Sequence, residues 1–245
     1  KKINYIIHLA GQAGVRYSLK NPSSYIKNNI EAYIYLLEYF KNQRKLKLIL
    51  YASSSSVYGE ELKTKSVSNS QMISVYAVSK KTLEDISFVY HKIYKMSFIG
   101  MRFFTVYGPY GRPDMSIFKF FNNIARNKKI EVYNYGNHSR SFTYISDIVE
   151  NIHKLILYLK RNKKKYICNI VNIGNPNSID LKYVIKLIEK CSHKRSMKKM
   201  LPLQTGDIVK TKAKMRREID KYKFKFKVNI EKGINNFSNW FFNER

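Results

Sequence analysis

Tyr76 and Lys80 stand four residues apart in the stretch SVYAVSKK at 74–81. On a helix, that separation puts both side chains on one face, so an ammonium can lie within reach of a phenol. A free tyrosine ionises at about pH 10 and is a poor base at neutral pH. A neighbouring cation favours the phenolate and brings it into working range. The chain holds 20 tyrosines and 46 lysines plus arginines, so the pair alone also fits an ordinary helix face. Its setting points further. Ser53, Ser54, Ser55 and Ser56 follow an apolar run that begins at Leu46, and doubly wound sheets place their ligands at strand ends. A hydroxyl there can donate to a substrate oxygen while the tyrosine exchanges its proton.

The elements that must hold these groups alternate between strand and helix patterns, which predicts an α/β fold built on a mostly parallel, Rossmann-type sheet. Residues 5–10 form a short apolar strand. Asn21-Pro22 marks a helix start, a capping side chain followed by proline at the first helical position. Tyr25, Ile26, Ile30, Tyr33, Ile34, Leu37 and Phe40 then recur at helical spacing through residue 43. Residues 46–53 read as a strand covered on both faces, 75–95 as a helix and 98–104 as another buried strand. After Phe104 the texture changes to a glycine- and proline-rich loop with Gly108, Pro109, Gly111 and Pro113. Helices are expected at 116–127, 146–161, 181–191 and 230–242, and strands at 130–133, 142–145 and 166–173. The boundary is set at 113. Residues 1–113 form the domain that carries the sheet, and 114–245 form mainly a smaller lobe interleaved with the last strands of the sheet.

Bulk properties exclude several classes. A chain of 245 residues with 44% apolar content can bury one good core. No apolar run approaches the ~20 residues that span a bilayer, so a soluble, cytoplasmic protein is expected. Cys168 and Cys191 are too few for a disulfide framework, and no pattern of metal ligands accompanies them. The net charge of +29 invites a nucleic-acid partner, but the basic residues are scattered near element ends without an aromatic platform. Specific nucleic-acid binding is not expected. Met96 and Met101 read as core filler, and Trp240 with Phe237, Phe241 and Phe242 as the packed face of a terminal helix.

The blocks HLAGQAGVRYS (8–18), YASSSSVYG (51–59), Tyr76 with Lys80, RFFTVYGP (102–109), GRPDM (111–115), YNYG (133–136), RSFTYISD (140–147) and QTGD (204–207) occur in this order. Together they resemble the extended short-chain dehydrogenase/reductase family, the NAD-dependent nucleotide-sugar epimerases and dehydratases, closest to its UDP-glucuronate 4-epimerases. The resemblance implies catalysis by Ser54, Tyr76 and Lys80. It implies NAD held by His8, Leu9, Ala10, Gly11, Asn29, Tyr76, Lys80, Tyr107 and Pro109. It implies a UDP-sugar held by Ser55, Ser56, Thr105, Arg112, Arg140 and Asp207, and no metal. The family's dehydratases carry Asp-Glu where this chain has Ser55 and Ser56, which favours epimerisation at C4. Thr105 and Arg112 match contacts to a C5 carboxylate, which favours UDP-glucuronate and UDP-galacturonate, the latter a precursor of surface polysaccharide. A UDP-hexose 4-epimerase, a related decarboxylase or dehydratase, and a catalytically inactive remnant are the alternatives. Family members pair as homodimers through the two helices expected at 22–43 and 75–95. Ser141 departs from the family, which has Asp there.

The family opens with Gly-x-x-Gly-x-x-Gly after its first strand, where a helix N-terminus receives the pyrophosphate. These 245 residues lack that motif, and Gly11-Gln12-Ala13-Gly14 is not it. Two βαβ units are missing by this comparison, so the chain is expected to be a fragment of a longer protein or a truncated product. By the same resemblance, 1–113 is the C-terminal part of the NAD-binding domain and 114–245 is mainly the nucleotide-sugar-binding lobe. As it stands, weak or no NAD binding, marginal solubility and little activity are expected of the chain.

Overall fold

A computed structural model describes residues 3–59, 71–161, 166–204 and 206–244. The chain divides into two compact units, one formed by Lys1–Phe103 with Leu159–Ile173, the other by Phe104–Tyr158 with Gly174–Arg245.

The first unit begins with β1 (Tyr5–His8), α1 (Val15–Lys20), α2 (Pro22–Tyr25) and α3 (Ala32–Phe40). It continues with β2 (Leu48–Ser54), α4 (Val75–Tyr94) and β3 (Phe98–Phe103). Asn21 caps α2 as the sequence predicts, its side chain accepting from the Ser24 N–H at 3.3 Å. The helix expected over 22–43 is not uniform. Between α2 and α3 lies a π-helical stretch, Ile26–Glu31, whose wide turn accommodates the buried Asn29. Ser74 caps α4 by accepting from the Ala77 N–H at 3.1 Å. α4 ends at Lys95, which adopts a left-handed conformation with φ 55°.

The second unit starts with β4 (Thr105–Tyr107), α5 (Ser116–Ala125), β5 (Ile130–Val132), β6 (Ser139–Arg140), β7 (Phe142–Tyr144) and α6 (Ile145–Arg161). The chain then returns to the first unit as β8 (Cys168–Ile173). It closes the second with β9 (Ile179–Asp180), α7 (Leu181–Cys191), β10 (Lys198–Met200), α8 (Arg216–Tyr222) and α9 (Ile230–Asn243).

The sheet of the first unit runs β1-β2-β3-β8, all parallel. Its middle strands are apolar because both faces are covered: Leu48, Ile49, Leu50 and Tyr51 of β2 are all buried. Tyr33, Leu37, Ile49, Tyr51, Leu83, Met96 and Phe98 form one core cluster here. The ring of Tyr51 needs Gly100 beside it, since a Cβ there would come within 2.6 Å of the Tyr51 hydroxyl. β1 lies at the sheet's edge, and the chain leaves it at Leu9, which is 55% exposed.

Two-stranded ladders join β4 to β7, β5 to β10 and β6 to β9 in the second unit. Its core gathers Phe118, Phe121, Ile130, Val184, Ile188, Ile234, Phe237 and Trp240, with Phe241 partly buried against them. Phe242, expected on the same packed face, is 49% exposed because it lies on the outer side of α9. Asp147 at the start of α6 accepts from the Lys227 and Val228 N–H groups, tying the approach to α9 down. No described helix is long and apolar enough to cross a membrane.

Candidate active site

Ser54 is the last residue of β2, and α4 packs against both β2 and the 3-10 turn Ser55–Tyr58 that follows. The Ser54 hydroxyl accepts from the Ser56 N–H at 3.1 Å and donates to the Ser56 hydroxyl at 3.2 Å. Successive strand side chains point to opposite faces. Ser53 accordingly turns to α4 and donates to Glu84 at 2.6 Å.

Tyr76 is the second residue of α4 and half-buried, its ring set edge-on to Tyr25 at 6.1 Å. The Tyr25 hydroxyl is itself anchored, donating to the carbonyls of Ala13 at 2.9 Å and Gly14 at 2.6 Å. Lys80 follows one turn later and is only 5% exposed. Burial pulls its ammonium down to about 8, and no described carboxylate pairs with it.

Gly11 explains what faces that ammonium. Its φ of +152° suits glycine, and a Cβ there would come 2.7 Å from Asn29 Oδ1 and 3.6 Å from Lys80 Nζ. Asn29 Oδ1 accepts from the Gln12 N–H at 2.6 Å, while its Nδ2 donates to Gln12 O at 3.0 Å and Ser79 Oγ at 2.9 Å. Asn29 therefore ties the segment after β1 to α4. His8, half-buried at the end of β1, is shifted below its ordinary value by burial and then by the Lys80 charge. The first unit thus gathers His8, Gly11, Asn29 and Lys80, with Tyr76 on the same helix face and Ser54 at the end of the strand below it. Leu9 and Ala10 are exposed beside them.

The second unit carries the remaining expected residues. Thr105 lies in β4, and Thr105 and Arg112 both line a narrow crevice of about 20 Å³. The Arg112 guanidinium is exposed and grips Asp114 with two bonds, 2.9 Å from Nε and 2.8 Å from Nη2. Tyr107 turns its ring into the core against Phe142 and Tyr144, and its hydroxyl packs over Gly233. Burial raises that phenol well above its ordinary range, and Pro109 follows half-buried in the turn after β4. Arg140 donates to Val209 O at 2.8 Å and to Asp207 at 3.4 Å, which brings these two expected residues together. His138 Nε2 lies 3.9 Å from Asp207. A cavity of about 450 Å³ opens beside them, lined by His138, Ser139, Lys182, Tyr183 and Lys210 among others.

A buried network beneath Ser54 escapes the sequence reading. Arg102 of β3 donates to both oxygens of Glu84, from Nε at 2.8 Å and Nη2 at 2.6 Å. Its guanidinium lies 4.8 Å from the Tyr58 ring centroid, and the Tyr58 hydroxyl donates to Asn172 at 2.8 Å. The available signal was an arginine within the apolar strand FIGMRF, since a buried charge requires a partner.

The model of the NAD dependent epimerase/dehydratase family matches residues 1–174. The chain belongs to that family. It is 46% identical over 244 residues to an uncharacterized protein of Methanocaldococcus jannaschii, covering 98% of this chain and 73% of that one. UDP-glucuronate 4-epimerase 5 of Arabidopsis thaliana is 37% identical over 251 residues, which cover 97% of this chain and 58% of the plant protein. The crystal structure of UDP-glucuronic acid 4-epimerase from Bacillus cereus, in complex with UDP-glucuronic acid and NAD, superposes with a TM-score of 0.88 at 30% identity. That match covers 97% of this chain and 75% of the bacterial one, and the four-stranded parallel sheet is of the same Rossmann type. The family's cofactor can be set against the residues present. Gly11 keeps its backbone free of a side chain where a Cβ would meet Asn29, and a buried ammonium with no described carboxylate partner lies beside it. This suits the sugar and ring of a nicotinamide nucleotide.

Proposed function

We propose that this chain carries the reacting residues of an NAD-dependent UDP-sugar 4-epimerase that interconverts UDP-glucuronate and UDP-galacturonate. Lys80 carries the reading: a buried ammonium one helical turn after Tyr76, beside Gly11, with no described carboxylate against it. The named activities of the plant and bacterial relatives supply the substrate.

In this scheme Tyr76, as phenolate, takes the proton of the sugar's C4 hydroxyl and later returns a proton to the same oxygen. The Lys80 charge stabilises the phenolate, and Ser54 donates a hydrogen bond to that oxygen throughout. Bound NAD supplies a reversible hydride acceptor that is regenerated in each turnover. Its nicotinamide half would be held by Lys80, by the backbone of His8, Leu9, Ala10 and Gly11, and by that of Tyr107 and Pro109, with Asn29 bracing the first of these segments. Arg140 and Asp207 take the UDP. Ser55 and Ser56 border the sugar without offering an acid to expel its C6 oxygen, so the 4-keto sugar returns to an alcohol. Arg112, with Thr105, holds the C5 carboxylate. A 4-keto uronate is a β-keto acid, and a two-pronged grip on its carboxylate opposes loss of CO₂.

The bond between Arg112 and Asp114 favours one second reading, a UDP-hexose 4-epimerase whose Arg112 only ties down its loop. The test supplies NAD at millimolar concentration with UDP-glucuronate or UDP-glucose. Conversion of the uronate, lost in Tyr76→Phe, supports the first reading. Conversion of UDP-glucose alone favours the second, and equal turnover by Tyr76→Phe overturns both.

The assignment carries a cytoplasmic setting and a product destined for polysaccharide. It also carries a homodimer through the outer faces of α3 and α4, where Tyr35, Tyr39, Phe88, Val89 and Ile93 are exposed. Sedimentation should then show a dimer that Phe88→Asp with Ile93→Asp converts to monomer.

A further inference from the structure

Glu84 lies four residues after Lys80, on the same face of α4, and both are buried. A lysine and a glutamate so spaced attract each other, strongly where water is excluded. Yet Lys80 pairs with no described carboxylate, because both Glu84 oxygens are taken by Arg102 and one also accepts from Ser53. Arg102 is held in turn, its guanidinium over Tyr58 and the Tyr58 hydroxyl on Asn172 of β8.

We propose that Arg102 is a positioning residue which withholds the Glu84 carboxylate from Lys80 and, through Ser53, fixes the strand end that presents Ser54. The idea rests on Lys80 serving the site proposed above, but what it states is an arrangement of charges. Removing Arg102 leaves a buried carboxylate one turn from a buried ammonium. The two should then pair, drawing the ammonium away from Gly11 and Tyr76 and holding its proton more tightly. Among the described residues, the other ionisable groups around this part of α4 are His8 from β1, Tyr25 from α2, Tyr33 from α3 and Tyr51 from β2, with Cys168 in β8 behind them and Lys27 and Glu31 of the π-helical stretch at exposed positions. α1, which also packs on α4, adds Arg16, Tyr17 and Lys20 at exposed positions. Glu84 is the carboxylate on the Lys80 face of the helix.

The test reads the lysine and not turnover, so it stands apart from the fate of the epimerase assignment. In protein labelled at lysine Cε, the carbon resonance that disappears in Lys80→Gln is followed against pH. In the wild type it should titrate near 8, apart from the other lysines. Arg102→Gln should raise that midpoint by at least one pH unit, about a tenfold tighter hold on the proton. Arg102→Gln combined with Glu84→Gln should return it to the wild-type value or below, although the strand contact is equally lost. If Arg102→Gln does not fold, Arg102→Lys, which keeps the charge and loses the two-pronged grip, should raise the midpoint by a smaller amount. An unmoved midpoint in the variant that folds, or an equal rise in the double variant, overturns the proposal.

Discussion

Replacing Lys80 with methionine should stabilise the fold while abolishing turnover. Methionine keeps most of the side chain's length and volume without its charge. Burial lowers the ammonium from its ordinary 10.5 to about 8, and each pH unit corresponds to about 1.4 kcal/mol. At neutral pH the folded chain therefore bears a cost of about 3 kcal/mol for keeping Lys80 charged, an upper value because relaxation and water reduce it. The sign follows from proton counts. Between pH 8 and 10.5 the unfolded chain holds the Lys80 proton and the folded chain has released it, so wild-type stability gains from this group as pH rises through that window. Lys80→Met has no such gain. Its advantage should be about 1–3 kcal/mol at pH 7 and should fade by pH 10.5. Urea unfolding of both proteins at pH 7 and pH 10 measures this, and other titrating groups cancel in the difference. A variant less stable than wild type at pH 7, or an advantage that does not change with pH, would refute the reasoning.

Four further outcomes are expected. Gly11→Ala places a Cβ 2.7 Å from Asn29 Oδ1 at a φ that side chains resist, and should cost about 1–3 kcal/mol in urea unfolding. Asn21→Ala removes the acceptor for the Ser24 N–H and should cost about 1 kcal/mol, seen as a lower thermal midpoint. Arg112→Met deletes a charge-assisted contact worth about 1.5–3 kcal/mol, so KM for UDP-glucuronate should rise about 10- to 100-fold with UDP-glucose unaffected. Asp114→Asn, which loosens the grip on Arg112, should move KM for the uronate the other way.

Long periodic segments were legible in the sequence because their burial pattern is local. The strand at Leu48–Ser54 and the helix at Val75–Tyr94 fall within two residues of expectation. The short pieces were not. α1, α8, β9 and β10 hold together through neighbours distant in sequence, which no local pattern records. The π-helical turn around Asn29 escaped because one extra residue per turn hardly disturbs a helical periodicity. In the site, Tyr76, Lys80 and Ser54 announced themselves by type and spacing. Glu84 and Arg102 did not, since eighteen residues and a change of element separate them. Arg112 with Asp114 is the opposite case: the partner sits two residues on, within reach of a purely local reading.

In the proposed scheme the Tyr76 phenol handles the proton at C4 of a UDP-uronate. Carbon NMR of C4-labelled UDP-glucuronate, mixed with the protein and millimolar NAD, tests it most directly. The C4 signal of UDP-galacturonate should grow with wild-type protein and be absent, over the same time, with Tyr76→Phe. Equal growth of that signal with Tyr76→Phe would contradict it.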